Sequence, residues 1–109
     1  MTTTTRTVTV AFVVKLVAQA EKADEVGSFL AGALSLANQE AGTIVWFALR
    51  TDATTFWIVD AFASQADRQV HIKGPIAAAL MANAQRLLAA PPEILPAEVL
   101  AAKVPTGGK

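Results

Sequence analysis

The chain has no cysteine and a single histidine among its 109 residues. The first absence excludes disulfides, thiol nucleophiles and cysteine-bound zinc or iron–sulfur centres. The second leaves no multi-histidine iron or copper site. Neither sign of charge is in excess: nine Lys and Arg balance nine Asp and Glu, for a formal net charge of zero. Such a surface offers little to nucleic acid or to an anionic membrane. No Gly-x-Gly-x-x-Gly follows a strand pattern and there is no phosphate loop, so bound flavin, nicotinamide or nucleotide is not expected. A serine triad would lack its Gly-x-Ser-x-Gly elbow. No apolar run reaches the ~18–20 residues of a membrane-spanning helix. Arg6, the apolar Val8–Val14 and Ala18-Gln19-Ala20 loosely imitate a secretion signal, but Lys15 interrupts the run and threonines precede it. A cytoplasmic location is the expectation.

What the chain has in abundance is apolar side chains, 53% of residues against 17% charged. That is rich for a monomer of this size, which has little interior to hide them, and it points to a buried partner interface. Thr2–Thr5 and Pro105–Lys109 read as flexible ends, leaving one domain over residues 7–104. Thr7–Val17 is rich in β-branched residues and reads as a first strand. Ala23, Val26, Leu30, Ala33, Leu34 and Ala37 give a helical period from Lys22 to Gln39. Gly27 and Gly32 each weaken that helix by about 1 kcal/mol relative to alanine, which close packing would explain. Thr43–Arg50 and Thr55–Ala63 form a hairpin of strands around Thr51-Asp52-Ala53-Thr54. Ser64, with Asp67 three residues on, caps a short helix that Gly74-Pro75 ends. Pro75 suits the first position of the next helix, Ile76 to about Ala89. A last strand is expected over Ile94–Val104, with Pro96 placing its start at an edge or bulge. The order β-α-β-β-α-β is the α+β, ferredoxin-like pattern, with an antiparallel sheet.

The strands are apolar on both sides. Val8, Val10, Phe12, Val14 and Leu16 share one face, yet Ala11, Val13 and Val17 occupy the other. Ile44 and Trp46 oppose Val45, Phe47 and Leu49; Phe56, Ile58 and Phe62 oppose Trp57, Val59 and Ala61. One layer of helices covers one face only. The simplest cover for the second is another copy of the sheet, which predicts a twofold homodimer burying about 800 Å² per partner. Trp57 is read as part of that interface.

The candidates for chemistry are few. His71 is the only side chain expected to titrate near neutrality, and it lies on the short helix two turns after Ser64. Pointing at the sheet, it could take a proton from a bound hydroxyl; otherwise it is a histidine held by one hydrogen bond. Asp60 interrupts an apolar strand, in register with Phe56, Ile58 and Phe62. There it must be hydrogen-bonded or held neutral, either to bind a polar group or as a structural carboxylate. An Asp60–His71 contact would orient the imidazole as a base. Trp46, Phe62, Ile76 and Leu80 are candidate pocket walls, with plain core as the alternative. Arg68, Asn83 and Arg86 read as solvated or rim positions.

The stretch Phe56-Trp57-Ile58-Val59-Asp60-Ala61-Phe62-Ala63-Ser64, followed by Ala66 and His71 and preceded by Gly42 and Trp46, resembles the antibiotic-biosynthesis-monooxygenase family of the dimeric α+β barrel superfamily. The resemblance runs from Val8 to Val104, with Leu100–Val104 like the family's closing strand. Two positions depart from it: Asp60 stands where Glu is usual and Phe62 where Trp is usual. The resemblance implies a cofactor-independent monooxygenase of a quinol- or anthrone-like hydroxyaromatic, using molecular oxygen, with no metal and no bound cofactor. His71 would then be the base, with Asp60 orienting it or binding substrate. The alternative is a non-catalytic dimer that binds a small apolar metabolite or serves in a stress response. Haem degradation, performed by related dimers, ranks below both. Such proteins pair a strand Asn with a helix Trp and a later His; the first strand here has no Asn, His71 takes the Trp place, and no later His exists.

Overall fold

The computed structural model describes residues 7–105. Expectations for the ends at 1–6 and 106–109 lie outside the described residues. Strand β1 (Val10–Val17) leads through a 3-10 turn (Ala20–Lys22) into α1 (Ala23–Gly32) and α2 (Leu34–Asn38). Strands β2 (Thr43–Arg50) and β3 (Thr55–Phe62) follow as a hairpin, then α3 (Gln65–Ile72), α4 (Pro75–Leu87) and β4 (Glu93–Glu98). The four strands form one antiparallel sheet in the order β2-β3-β1-β4. This is the ferredoxin-like arrangement.

Local chemistry accounts for most boundaries. Ser64 Oγ accepts the main-chain N–H of Asp67 at 3.2 Å, so α3 starts where the cap dictates. Gly74 lies between α3 and α4, and Pro75 opens α4 at its first position. The anticipated helix over Lys22–Gln39 is instead broken at Ala33, directly after Gly32. A Cβ at Gly32 would meet nothing within 4 Å, so close packing does not explain it; the residue marks a helix end. Gly27 does pack closely, since its Cβ would lie 3.6 Å from the Phe56 ring. The last strand stops at Glu98 rather than Val104. Beyond it the Val99 N–H still donates to the Thr9 carbonyl at 3.0 Å, and Val99 and Val104 pack against Val8, Ala11 and Ala61. Pro96 sits within β4, on the edge of the sheet where a missing N–H is tolerated.

The main core lies between the helices and one face of the sheet, where Phe12, Val14, Leu16, Phe56, Ile58 and Phe62 meet Val26, Leu30, Leu80 and Leu87. Among the described residues no helix covers the opposite face. There the register aligns Phe47, Val59, Val13 and Leu95 as an unbroken apolar row across all the strands. Phe47 is 57% exposed and Leu95 51% exposed. The next row has Leu49, Trp57, Lys15 and Glu93, with the Lys15 ammonium 5.8 Å from the centre of the Trp57 ring. Only the end nearest Ala11 and Ala61 is covered, by the chain's own Val99 and Val104. No helix is long and apolar enough to cross a membrane among the described residues.

Candidate active site

Alternation along β3 turns Asp60 toward the helices together with Phe56, Ile58 and Phe62. The strand leaves its carboxylate almost without water, at 1% exposure. Burial of that kind demands partners, and both oxygens have one. Oδ1 accepts the main-chain N–H of Phe12 on β1 at 3.2 Å. Oδ2 lies 3.0 Å from Nε2 of His71. On α3 His71 is the one buried residue, because the capped start at Ser64 sets which side of this short polar helix meets the sheet. Its ring leans on Phe62, with centroids 5.1 Å apart.

The other imidazole nitrogen is also engaged. Nδ1 lies 2.5 Å from Oε1 of Glu40, in the connection between α2 and β2. Glu40 is itself fixed by a tight turn: Thr43 Oγ1 donates to the same oxygen at 2.7 Å, and Thr43 N–H donates to the Glu40 carbonyl at 3.2 Å. Neutral imidazole can donate from one nitrogen only, whereas both face carboxylate oxygens here. The doubly protonated ring satisfies both. Burial opposes that charge and is the largest influence on it, yet the hydrogen bonds from Asp60 and then Glu40 outweigh it and hold the His71 pKa above its ordinary 6.5. Among the described residues no group of three or more His, Cys, Asp or Glu is placed to hold a metal ion.

A cavity of about 30 Å³ opens beside the cluster, with Asp60 and His71 as its polar end. Its apolar walls include Phe12, Ile58, Ile76, Leu80, Met81 and Ile94. The space suits roughly one water molecule. Of the residues anticipated as walls, Ile76 and Leu80 line this cavity. Phe62 lies behind His71 in the core, fully buried. Trp46 is the register partner of Asp60 on β2 and packs toward Ala33, Ala37 and Ile76; its indole N–H is buried without a hydrogen-bond partner.

One side chain of the site had no sequence reading, and another departs from its own. Glu40 was invisible as a site residue, since 31 positions separate it from His71 and only the fold joins them. Arg68, expected at a solvated rim, is half-buried. Its guanidinium donates to the carbonyls of Ala11 and Ala97 at 3.2 and 3.3 Å and lies over the Phe12 ring. The reason is its place one turn before His71, which carries its long stem over the β1–β4 seam. Arg86 does stay at the surface, paired with Glu25 and Asn83. Gly42 is needed for a close approach: a Cβ there would fall 2.7–2.9 Å from the Asp67 side chain.

The fold recurs among known proteins. The sequence matches no protein-family model and no curated protein. A solved structure from Nitrosomonas europaea, the NE2512 protein of unknown function, is 50% identical over 94% of this chain and 100% of its own, with a TM-score of 0.91. The chain belongs to the family of NE2512. Its fold is also that of a second Nitrosomonas europaea protein, named "Putative antibiotic biosynthesis monooxygenase", at 15% identity over 84% of this chain and 99% of that one, TM-score 0.76. A Bacteroides thetaiotaomicron protein of the same name agrees at 16% identity over 91% and 96%, TM-score 0.73. The resemblance is thus borne out at the level of the fold: the chain has the ferredoxin-like α+β fold of proteins named as putative antibiotic biosynthesis monooxygenases.

Proposed function

We propose that this protein is a cofactor-independent monooxygenase of a neutral hydroxyaromatic of quinol or anthrone type. The observation that carries the reading is the Asp60–His71–Glu40 cluster set at the polar end of an otherwise apolar cavity. With two carboxylates and one imidazolium, the cluster bears one net negative charge in a dry place. Accepting one proton neutralises it, so the group as a whole is suited to deprotonate a substrate hydroxyl. A substrate so ionised can give an electron to dioxygen without help from a protein redox centre. Across the full reaction the substrate gains one oxygen and loses two hydrogens, which leave with the second oxygen as water. Asp60 and His71 are the catalytic residues of this scheme; Ile76 and Leu80 hold the ring, with Trp46 and Phe62 backing the site. A substrate enters only if α3 and α4 draw back from β1 and β4. The Met81 side chain, 57% exposed at the cavity, is the cheapest element to move.

The same reading includes a cytoplasmic homodimer. The row Phe47–Val59–Val13–Leu95 calls for an apolar cover, and a second copy of the same face is complementary to it. Oxygen uptake with a panel of hydroxyaromatics, without added metal or flavin, tests the activity. His71→Ala and Asp60→Ala should each reduce turnover by about 100-fold or more; unchanged turnover in both would remove the assigned site. A second reading is favoured by the small size of the cavity: a non-catalytic dimer that binds a small apolar metabolite. Tight ligand binding with no oxygen consumption would select it.

A further inference from the structure

The mechanism above places Asp60 and His71 at the cavity and counts Glu40 only for its charge, with no part in holding the ring. We infer that Glu40 is the positioning residue of the site: it grips Nδ1 from the side away from the cavity, aims Nε2 at Asp60, and supplies the charge that makes the cluster a proton acceptor. This rests on the monooxygenase reading for its consequence in turnover, though not for its geometry. Exposure rises in order along the array, from Asp60 at 1% through His71 at 7% to Glu40 at 13% of their side chains, so Glu40 is the member nearest to solvent. Its Oε2 is buried with no hydrogen-bond partner, while Oε1 receives both Thr43 and His71. The acid is therefore tied to the ring through one oxygen and locked by the turn that bears it. Gly74 makes room for this, since a Cβ there would lie 3.4 Å from Glu40 Oε2 and 3.2 Å from the His71 carbonyl.

No other charge competes for the ring among the described residues. Asp60 faces it from β3 and Glu40 from the α2–β2 connection. The cavity side of α4 presents Ile76 and Leu80, and β1 presents Phe12. On α3 itself Asp67 packs against Gly42, and Arg68 is turned to the Ala11 and Ala97 carbonyls. Removing the charge of Glu40 leaves an Asp60–His71 pair with no net charge. A substrate proton would then make the site positive instead of neutral.

The deciding experiment compares Glu40→Gln and Glu40→Asp with the wild type. As the only histidine, His71 gives imidazole NMR signals that belong to no other residue. In the substrate-free protein, Glu40→Gln should lower the His71 titration midpoint, and Glu40→Asp should restore it in part. In turnover, Glu40→Gln should lower kcat about tenfold or more and displace the pH–rate profile, with KM little changed because Glu40 does not border the cavity. A His71 midpoint that does not move in Glu40→Gln overturns the assignment. So does a uniform loss of melting temperature with midpoint and pH profile intact, which is the mark of a merely structural residue. A displaced midpoint in a protein that consumes no oxygen with any substrate supports the positioning role and counts against the monooxygenase reading alone.

Discussion

The two faces of this sheet come from the same strands and have similar composition, yet they do different things. The helix side is closed and nearly dry, and it tolerates the buried Asp60 and His71 because each carboxylate oxygen of Asp60 and each ring nitrogen of His71 has a partner. The other side is equally apolar in its middle row but open, with the side chains of Phe47, Leu95 and Leu49 in contact with water. The lesson is that apolar content alone does not mark a core. What distinguishes the core from the open face is which side the chain's own helices reach, and α1, α3 and α4 reach one only.

Paired substitutions sharpen that contrast. The largest effect is expected from Phe62→Ala, which removes a fully buried ring touching both Phe12 and His71. It should cost about 3–5 kcal/mol in chemical denaturation, because the surrounding side chains cannot collapse into the gap. Phe47→Asp, the same loss of a phenyl ring on the open face, should leave the fold of each protomer in place while abolishing association. Sedimentation would then report an 11.4 kDa particle in place of one twice as heavy. A dimer that survives this change would move the interface elsewhere.

The smallest effect is in pH dependence. The His71 pKa is raised in the folded protein relative to its ordinary 6.5. Its stabilisation is therefore complete below that value and declines as pH rises through the folded pKa. Melting temperature should fall gradually as pH rises above 6.5, and Asp60→Asn should flatten the trend. A wild-type melting temperature that climbs over the same interval would contradict the doubly protonated ring.

Much of this architecture could be read from local chemistry. The range Thr43–Arg50 follows from its β-branched and aromatic residues between Gly42 and a polar turn, and the structure has the same limits. Ser64 and Gly74-Pro75 act on their immediate neighbours, so their effects were legible as well. The α1–α2 break was less so, since a glycine inside an apolar period can signify either close packing or an end. The last strand was overextended because Val99 and Val104 are apolar for a different reason: they cover Ala11 and Ala61. In the site, Asp60 stood out by being charged in an apolar strand and His71 by being unique. Glu40 had no such contrast. It is an ordinary acid in a polar connection, and its role exists only once the fold has brought it to the far nitrogen of His71.

Pro96 on β4 has a consequence for how copies of this chain can meet. A strand lacking an amide hydrogen at its midpoint is a poor template for another strand, so lateral growth of the sheet is discouraged along that border. Contact between molecules is thereby steered toward stacking broadside. A chain so greasy is guarded against zipping into fibres at this border.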